Sequence, residues 1–230
     1  MKTWHGVALA LGAFLFLSGC VSLGAHRSAR PVGKKQMEVG FSFGYSNLSA
    51  FGVVQGNVGE LGAAEGFLRY GLTNSLDFSV AAGSIGVTPR LDWSFLHRKR
   101  LNMMVGVGLG MGLAVLEVNG DSFLGGATVA PDLTALVSFG GPAREFTLGL
   151  RLLKIGGAGM VSNAYLDSAE YDVSDRTGSA IGTIVSYTRR GKRLNVTPEL
   201  DLYFGTQRIG AAVGQFGFLV IPSVTFSMVK

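Results

Sequence analysis

Residues 101–115 read LNMMVGVGLGMGLAV, and glycine stands at every second position from Gly106 to Gly112. The residues between these glycines are Val, Leu and Met. An alternation of period two is typical of a β-strand, whose successive side chains point to opposite faces. A helix would be destabilised by glycine at this density. The stretch therefore predicts a strand with one apolar face and one face of very small residues.

The same alternation recurs along the chain from Met37 onward. Residues 37–46 read MEVGFSFGYS, in which the Met, Val, Phe and Tyr residues share one face. The pattern predicts about ten strands, within a range of eight to twelve. They lie at residues 37–46, 62–71, 76–84, 87–96, 101–115, 127–139, 145–155, 179–188, 193–204 and 215–229.

The predicted connections alternate between short and long. Short turns fall at 72–75, 97–100, 140–144 and 189–192, and longer loops at 47–61, 116–126, 156–178 and 205–214. Short turns at one end and longer loops at the other are typical of transmembrane β-barrels. An even number of strands places both chain ends of the domain at the short-turn end. The sequence thus predicts an all-β, antiparallel up-and-down transmembrane barrel.

The composition narrows the class of protein. The chain has 230 residues, of which 15% are charged and 47% hydrophobic, with 35 Gly and a single Cys. A disordered protein would be poor in apolar residues, and one cysteine excludes a disulfide scaffold. A glycine-rich β protein or a membrane protein remains, and a barrel in a membrane is both.

Charged residues within the predicted strands lie mostly on the face of small residues. These are Glu38, Glu65, Arg69, Asp77, Arg90, Asp92, Asp132, Glu145, Arg151, Glu199 and Asp201. A closed barrel with lipid outside and a polar lumen explains this placement, whereas a soluble barrel would bury its apolar face. Two interpretations of the lumen remain open: a salt-bridge network that plugs a narrow barrel, and a small cation-selective pore.

The first twenty residues read MKTWHGVALALGAFLFLSGC and have the basic start and short apolar core of an export signal. Leu17-Ser18-Gly19-Cys20 resembles the lipobox of bacterial lipoproteins. That resemblance implies that residues 1–19 are removed and that Cys20 is acylated. Residues 20–36 are then predicted to be a lipidated tether, and residues 37–230 the barrel domain.

Two further motifs carry a family resemblance. The sequence RYGLTNSLDF at residues 69–78 is a tight turn between two strands, and a V-x-P-x-[LV] pattern begins at Val87, Val129, Val196 and Val220. Together these features resemble small bacterial outer-membrane β-barrel proteins. The resemblance implies a Gram-negative outer membrane, with the lipid anchor on the periplasmic side.

The sequence contains few residues that could carry catalytic or cofactor chemistry. His97 is the single His between residues 37 and 230, and it stands beside a short turn. Outer-membrane deacylases and proteases use a His near the opposite end of the barrel, so no enzyme is predicted. Metal-ligand spacing is missing from the sequence, and no cofactor is predicted.

Two charged regions suggest partners. Basic clusters at 97–100 and 189–193 fall at the short turns, where anionic lipid headgroups are the expected partner and nucleic acid is not. The predicted loop 156–178 carries Asp167, Glu170, Asp172 and Asp175, which are candidates for contact with Ca²⁺ or an unknown extracellular partner.

Three functions are compatible with these patterns. The first is a lipid-anchored outer-membrane barrel with a structural or surface-interaction role and no catalysis. The second is a narrow pore or small-solute transporter, and the third is a soluble periplasmic lipid-anchored β domain that binds a hydrophobic ligand.

Overall fold

A computed structural model describes residues 28–46, 61–83, 86–118, 122–163, 172–209 and 216–230. In these ranges the chain forms ten strands. They are β1 (Met37–Ser46), β2 (Leu61–Gly71), β3 (Leu76–Gly83), β4 (Gly86–His97), β5 (Leu101–Val118), β6 (Ser122–Gly141), β7 (Arg144–Asn163), β8 (Asp172–Arg190), β9 (Asn195–Ile209) and β10 (Phe216–Val229). Among the same residues, no helix has the length and apolarity that a membrane crossing requires.

Each strand pairs antiparallel with the next, and β1 pairs with β10 to close the barrel. The closing register sets Val39 opposite Met228 and Phe41 opposite Phe226. Backbone hydrogen bonds between Met37 and Lys230, of 2.9 and 2.8 Å, continue this pairing to the chain terminus. The predicted ten-stranded up-and-down barrel is confirmed. We call the end that carries the short turns and Lys230 the turn end, and the opposite end the loop end.

Strands β5 to β8 extend further toward the loop end than the sequence predicts. Strand β7 runs to Asn163 and β8 begins at Asp172, so most of the predicted loop 156–178 is paired strand. Likewise, β6 begins at Ser122, inside the predicted loop 116–126. The predicted strand limits were wrong there because they relied on apolar alternation. Hydrogen bonding between paired strands needs only backbone N–H and C=O groups.

The two faces of the barrel differ in polarity as the alternation predicts. Large apolar side chains are exposed on the outer face, including Val107 (55%), Trp93 (54%) and Leu150 (53%). The inner face holds buried polar residues such as Thr134 and Asp201, both fully inaccessible. This arrangement is the reverse of a soluble barrel and suits a polar lumen surrounded by lipid.

Several large side chains of the described residues are buried inside the barrel. Arg151 and Tyr203 are the largest fully buried side chains. Met104, Leu136 and Ile184 form an apolar cluster inside the barrel, together with Ala29 from the segment that precedes β1. A filled interior is the usual state of barrels with few strands.

Candidate functional site in the lumen

The structure places the predicted lumen charges on the inner face, and most of them are buried. Glu38 and Glu65 are half-buried. The other nine are buried: Arg69, Asp77, Arg90, Asp92, Asp132, Glu145, Arg151, Glu199 and Asp201. Alternation alone therefore located these positions, but it gave no information on which of them pair.

A central cluster crosses the lumen through one carboxylate. Asp132 on β6 accepts a hydrogen bond from Arg90 of β4 through Oδ1 and from Arg151 of β7 through Oδ2 at 3.0 Å. Arg90 also donates to the hydroxyl of Thr134 at 2.9 Å, and Arg151 donates to that of Tyr203 at 3.3 Å. Four strands are thus joined across the interior by charge-assisted hydrogen bonds, which are stronger than neutral ones.

Glycines on the inner face make room for this cluster. A Cβ at Gly108 would lie 2.5 Å from Asp132 Oδ2 and 2.9 Å from Arg90 Nη1. A Cβ at Gly106 would overlap the carboxylate of Asp92, which lies 3.7 Å from Arg90 Nη2. Gly106 and Gly108 of β5 therefore leave space for charged side chains from neighbouring strands.

A second cluster lies near the turn end. Arg69 on β2 pairs with Asp77 on β3 at 2.6 Å and with Glu38 on β1 at 3.6 Å. The hydroxyl of Ser227 on β10 donates to Glu38 at 2.6 Å and accepts from the Asn195 amide at 3.3 Å. This cluster links five neighbouring strands, β9, β10, β1, β2 and β3, around the seam between β1 and β10.

The described part of the predicted tether enters the barrel. We call residues 28–36 the N-terminal segment. Its backbone pairs with Gly71 through Lys35 N–H at 2.8 Å and through Gln36 O at 3.0 Å. Farther in, the carbonyl of Arg30 accepts a hydrogen bond from Arg69 at 3.0 Å. The segment therefore crosses from β2 into the lumen rather than extending away from the domain.

Ala29 marks the deepest described contact of this segment. Its N–H donates to Ser138 of β6 at 2.8 Å, its carbonyl accepts from Ser94 of β4 at 3.0 Å, and the residue is fully inaccessible. Ala29 also packs with Met104 and Leu136. Both backbone polar groups of Ala29 are thus satisfied by the lumen wall, as buried backbone requires.

A salt-bridge group holds the first residues of the segment. Glu145 of β7 pairs with Arg30 at 3.1 Å and with Arg190 of β8 at 2.5 Å. Arg190 also donates to the hydroxyl of Ser28 at 2.8 Å. Arg190 belongs to the basic cluster that the sequence predicts at the short turn 189–192. In the structure it is the last residue of β8 and points inward, because it shares the parity of Ser186 and Thr188.

Tyr203 is a second site residue that the sequence analysis missed. It continues the inward parity of Glu199 and Asp201 along β9, and that signal was present in the sequence. Charge, the signal from which the lumen residues were predicted, does not mark a tyrosine. The N-terminal segment carried no such signal, because its contacts are single hydrogen bonds to distant residues.

Other predicted sites lie outside the described residues, in whole or in part. Cys20, Asp167 and Glu170 fall outside the described ranges. The backbones of Asp172 and Asp175 belong to β8, so they are strand rather than loop residues. Their role in binding Ca²⁺ or an extracellular partner stays a prediction.

The turn end carries the basic residues and the single described His. His97 is exposed at the end of β4, next to a turn in which Arg98 N–H donates to Leu101 O at 2.8 Å. The exposed basic residues of this end are Arg98, Lys99, Arg100, Arg144, Arg189, Lys192, Arg193 and Lys230. Within the described residues, no three His, Cys, Asp or Glu side chains group closely enough to hold a metal ion.

Comparison with known proteins shows a similarity in fold but none in sequence. No protein-family model matches the chain, and no curated protein matches it in sequence. Its fold is similar to that of the outer membrane protease OmpT from Escherichia coli, at 7% identity and a TM-score of 0.50, over 85% of this chain and 96% of that one. It is also similar to Neisserial surface protein A, at 8% identity and a TM-score of 0.39, over 84% and 95% of the two chains. The chain thus has the fold of bacterial outer-membrane β-barrels.

Proposed function

We propose that this protein is a lipid-anchored outer-membrane β-barrel with a structural or surface-interaction role in the envelope, without catalysis and with a closed lumen. The observation that carries the proposal is the bridging of the interior by Asp132, held between Arg90 and Arg151. Paired and buried charges of this kind fix neighbouring strands to one another and occupy the path that a solute would need.

The outer face supports the membrane location. Leu109 and Leu148 lie mid-strand with 41% and 43% of their surface exposed, beside many other exposed apolar side chains. So much apolar surface would drive aggregation of a soluble domain, whereas lipid accommodates it. This argues against a soluble periplasmic domain that binds a hydrophobic ligand.

The N-terminal segment supports both the closed lumen and the anchor. It covers the interior at the turn end through Ser28, Ala29 and Arg30. Ser28 lies eight positions after Cys20, and an extended chain over eight positions spans at most about 29 Å. This reach suffices for an acylated Cys20 to enter the leaflet next to the turn end. The turn end is then periplasmic.

The basic turn end supports contact with lipid. Exposed residues such as Arg98, Lys99 and Arg193 surround the rim where inner-leaflet headgroups would lie. Each basic residue near an anionic surface contributes about 1 kcal/mol of attraction. Anionic headgroups are therefore the proposed partner at this end. The partner at the loop end is unknown, and nucleic acid is not proposed.

A noncatalytic role is supported by the position of His97. An acid–base pair with a described carboxylate would need the imidazole beside the buried clusters, but His97 is exposed at the turn end. The fold similarity to a protease does not alter this, since barrels of one fold carry different functions.

Two measurements test this proposal: one of membrane location and one of ion conductance. Purified wild-type protein should migrate in a heat-modifiable way on a detergent gel and fractionate with outer membranes. In planar bilayers it should give no steady single-channel currents. Steady currents would overturn the closed lumen and favour the narrow pore, and recovery in the soluble fraction without detergent would overturn the membrane location.

A further inference from the structure

An apolar groove lies over β2 and β3 on the outer face of the barrel. One row of paired residues across the strands consists of Phe41 on β1, Gly66 on β2, Ala82 on β3 and Val87 on β4. The two outer members of the row are large and exposed, at 46% for Phe41 and 43% for Val87. The two inner members are glycine and alanine, so the surface is lowest in the middle. The depression around them has a volume of about 530 Å³.

The shape and the chemistry of this groove suit a hydrocarbon chain. Phe43, Ala64 and Leu68 extend its apolar lining along the strands. The nearest atom to a Cβ built on Gly66 is Cε1 of Phe41 at 3.5 Å, so the phenyl ring forms one wall beside the glycine. Atoms that line an unfilled depression lose dispersion contacts on one side, and an acyl chain that follows the groove supplies them.

The N-terminal segment adds two exposed lysines at the turn end of β2. The N–H of Gln36 donates to Gly33 O at 3.0 Å and closes a β-turn with Lys34 and Lys35 at its corner. The N–H of Lys35 donates to Gly71 O at 2.8 Å and holds this turn against the last residue of β2. Lys35 has a φ of 64°, in the left-handed region that few residues other than glycine and asparagine adopt. Both lysines are therefore held at the end of the strand that forms the floor of the groove.

Charge at this end of the groove favours an anionic group. The carboxylates of Glu38 on β1 and Asp77 on β3 lie on the inner face and pair with Arg69. They are engaged in the lumen, whereas Lys34 and Lys35 are exposed outside it. An anionic lipid headgroup is the complementary partner for two adjacent lysines at a membrane surface.

The spacing between the groove and the lysines matches one lipid molecule. Gly66 lies five positions before Gly71 on β2, which is about 17 Å along a strand. One leaflet of the hydrocarbon core is about 15 Å thick. A lipid whose headgroup lies at the two lysines therefore has acyl chains long enough to reach the groove.

We propose that the groove over Gly66 and Ala82, together with Lys34 and Lys35, binds an anionic phospholipid of the periplasmic leaflet. This inference rests on the proposed membrane location and makes the headgroup partner specific. The acyl chain lies along β2 between the side chains of Phe41 and Val87, and the phosphate lies at the β-turn of the N-terminal segment. Bound in this way, the lipid covers the outer surface of β2 and β3 and contacts the segment that enters the lumen.

The test counts the lipid that stays bound to the purified full chain. The wild type in zwitterionic detergent is titrated with phosphatidylglycerol or with phosphatidylcholine of the same acyl chains, and native mass spectrometry counts the bound molecules. A single phosphatidylglycerol should remain bound to the wild type at concentrations at which phosphatidylcholine does not. Heat-modifiable migration on a detergent gel verifies that each variant is folded.

One pair of variants tests the headgroup contacts. Lys34→Gln combined with Lys35→Asn removes both charges, and asparagine tolerates the left-handed backbone at position 35. This variant should lower the apparent affinity for phosphatidylglycerol about tenfold or more. Lys99→Gln combined with Arg100→Gln removes the same charge from the exposed turn between β4 and β5 and should leave the affinity nearly unchanged. An equal loss in both double variants would show diffuse attraction by the basic rim and overturn the site.

A second pair of variants tests the groove. Ala82→Leu fills the space beside Gly66 and should lower the affinity severalfold, whereas Ala135→Leu makes the same change on the exposed outer face of β6 and should not. Equal affinities of these two variants would overturn the proposal, and so would retention of lipopolysaccharide in place of phosphatidylglycerol. Binding seen only in a Cys20→Ser background would assign the groove to the acyl groups of the chain itself and overturn it as well. Recovery of the wild type in the soluble fraction would overturn the membrane location too, whereas a membrane-bound wild type that retains no phosphatidylglycerol overturns this inference alone.

Discussion

Tyr203 lies against the backbone of Gly182, its direct partner on β8, so closely that a Cβ at position 182 would overlap the phenol ring. The ring fills the space that the missing side chain leaves, and its hydroxyl accepts from Arg151 at 3.3 Å. Gly182 on β8 therefore sets the position of the hydrogen bond that crosses the lumen from Arg151 on β7 to Tyr203 on β9.

The first prediction follows from this contact. Gly182→Ala should lower the free energy of unfolding by about 1–3 kcal/mol, because overpacking displaces the Tyr203 ring. Urea unfolding in detergent measures the change. The matched control is Gly156→Ala on β7, where the nearest atom to an added Cβ is Val129 O at 3.9 Å. Equal free energies of unfolding for the two variants would contradict the role given to Gly182.

The sequence was sufficient to predict the barrel because one physical rule governs every strand. Side chains alternate between lipid and lumen, so the glycines from Gly106 to Gly112 and the charges from Glu38 to Asp201 could be assigned to one face. The number of strands followed from the turns. The positions at which β7 ends and β8 begins could not be predicted from the turns, because strand pairing there continues without apolar alternation.

The interior contacts of the N-terminal segment could not be predicted in the same way. Ala29 binds Ser138, which is 109 positions away in the chain, and Arg30 binds Glu145 at a separation of 115. Contacts between such distant single residues leave no period in the sequence. A polar, aperiodic segment looks the same whether it is a free tether or is threaded into a polar lumen.

A second prediction tests the lipid face. Leu109→Arg and Leu148→Arg place a charge on the outer surface mid-strand, which should cost about 2–4 kcal/mol near the bilayer midplane. The measurement is assembly into the outer membrane and unfolding in lipid vesicles. Leu72→Arg, in a turn at the barrel end, should assemble normally. Normal assembly of all three variants would mean that the apolar face does not contact lipid.

A third prediction concerns the N-terminal segment. In a Cys20→Ser background, Ala29→Cys should be protected from a charged, membrane-impermeant thiol reagent, because residue 29 is fully inaccessible. Adding Glu145→Gln weakens the group that holds Arg30 and Arg190 and should increase the labelling rate. Mass spectrometry measures the labelled fraction over time. Rapid labelling of Ala29→Cys alone would place the segment outside the lumen.

The fourth prediction tests the anchor. Cells grown with labelled palmitate should incorporate label into the wild type and not into Cys20→Ser, since the acyl chains attach at that cysteine. Gel autoradiography follows the label, and N-terminal mass analysis locates the first residue of the mature chain. Label in the mutant, or a mature chain that begins elsewhere than Cys20, would exclude the lipoprotein assignment.

The last prediction separates a plugged barrel from a pore. Arg90→Ala removes one of the two guanidinium groups that hold Asp132 and leaves Asp92 without its partner at 3.7 Å. Breaking a buried pair by removing one partner costs about 3–5 kcal/mol, whereas a water-filled channel would screen the change. Thermal unfolding in detergent should therefore show a large loss for Arg90→Ala and little change for Arg98→Ala on the exposed turn. Arg90→Lys keeps the charge but not the planar fork, so its stability should be intermediate. Unchanged unfolding of Arg90→Ala, together with steady currents from the wild type in planar bilayers, would replace the plug with a conducting pore.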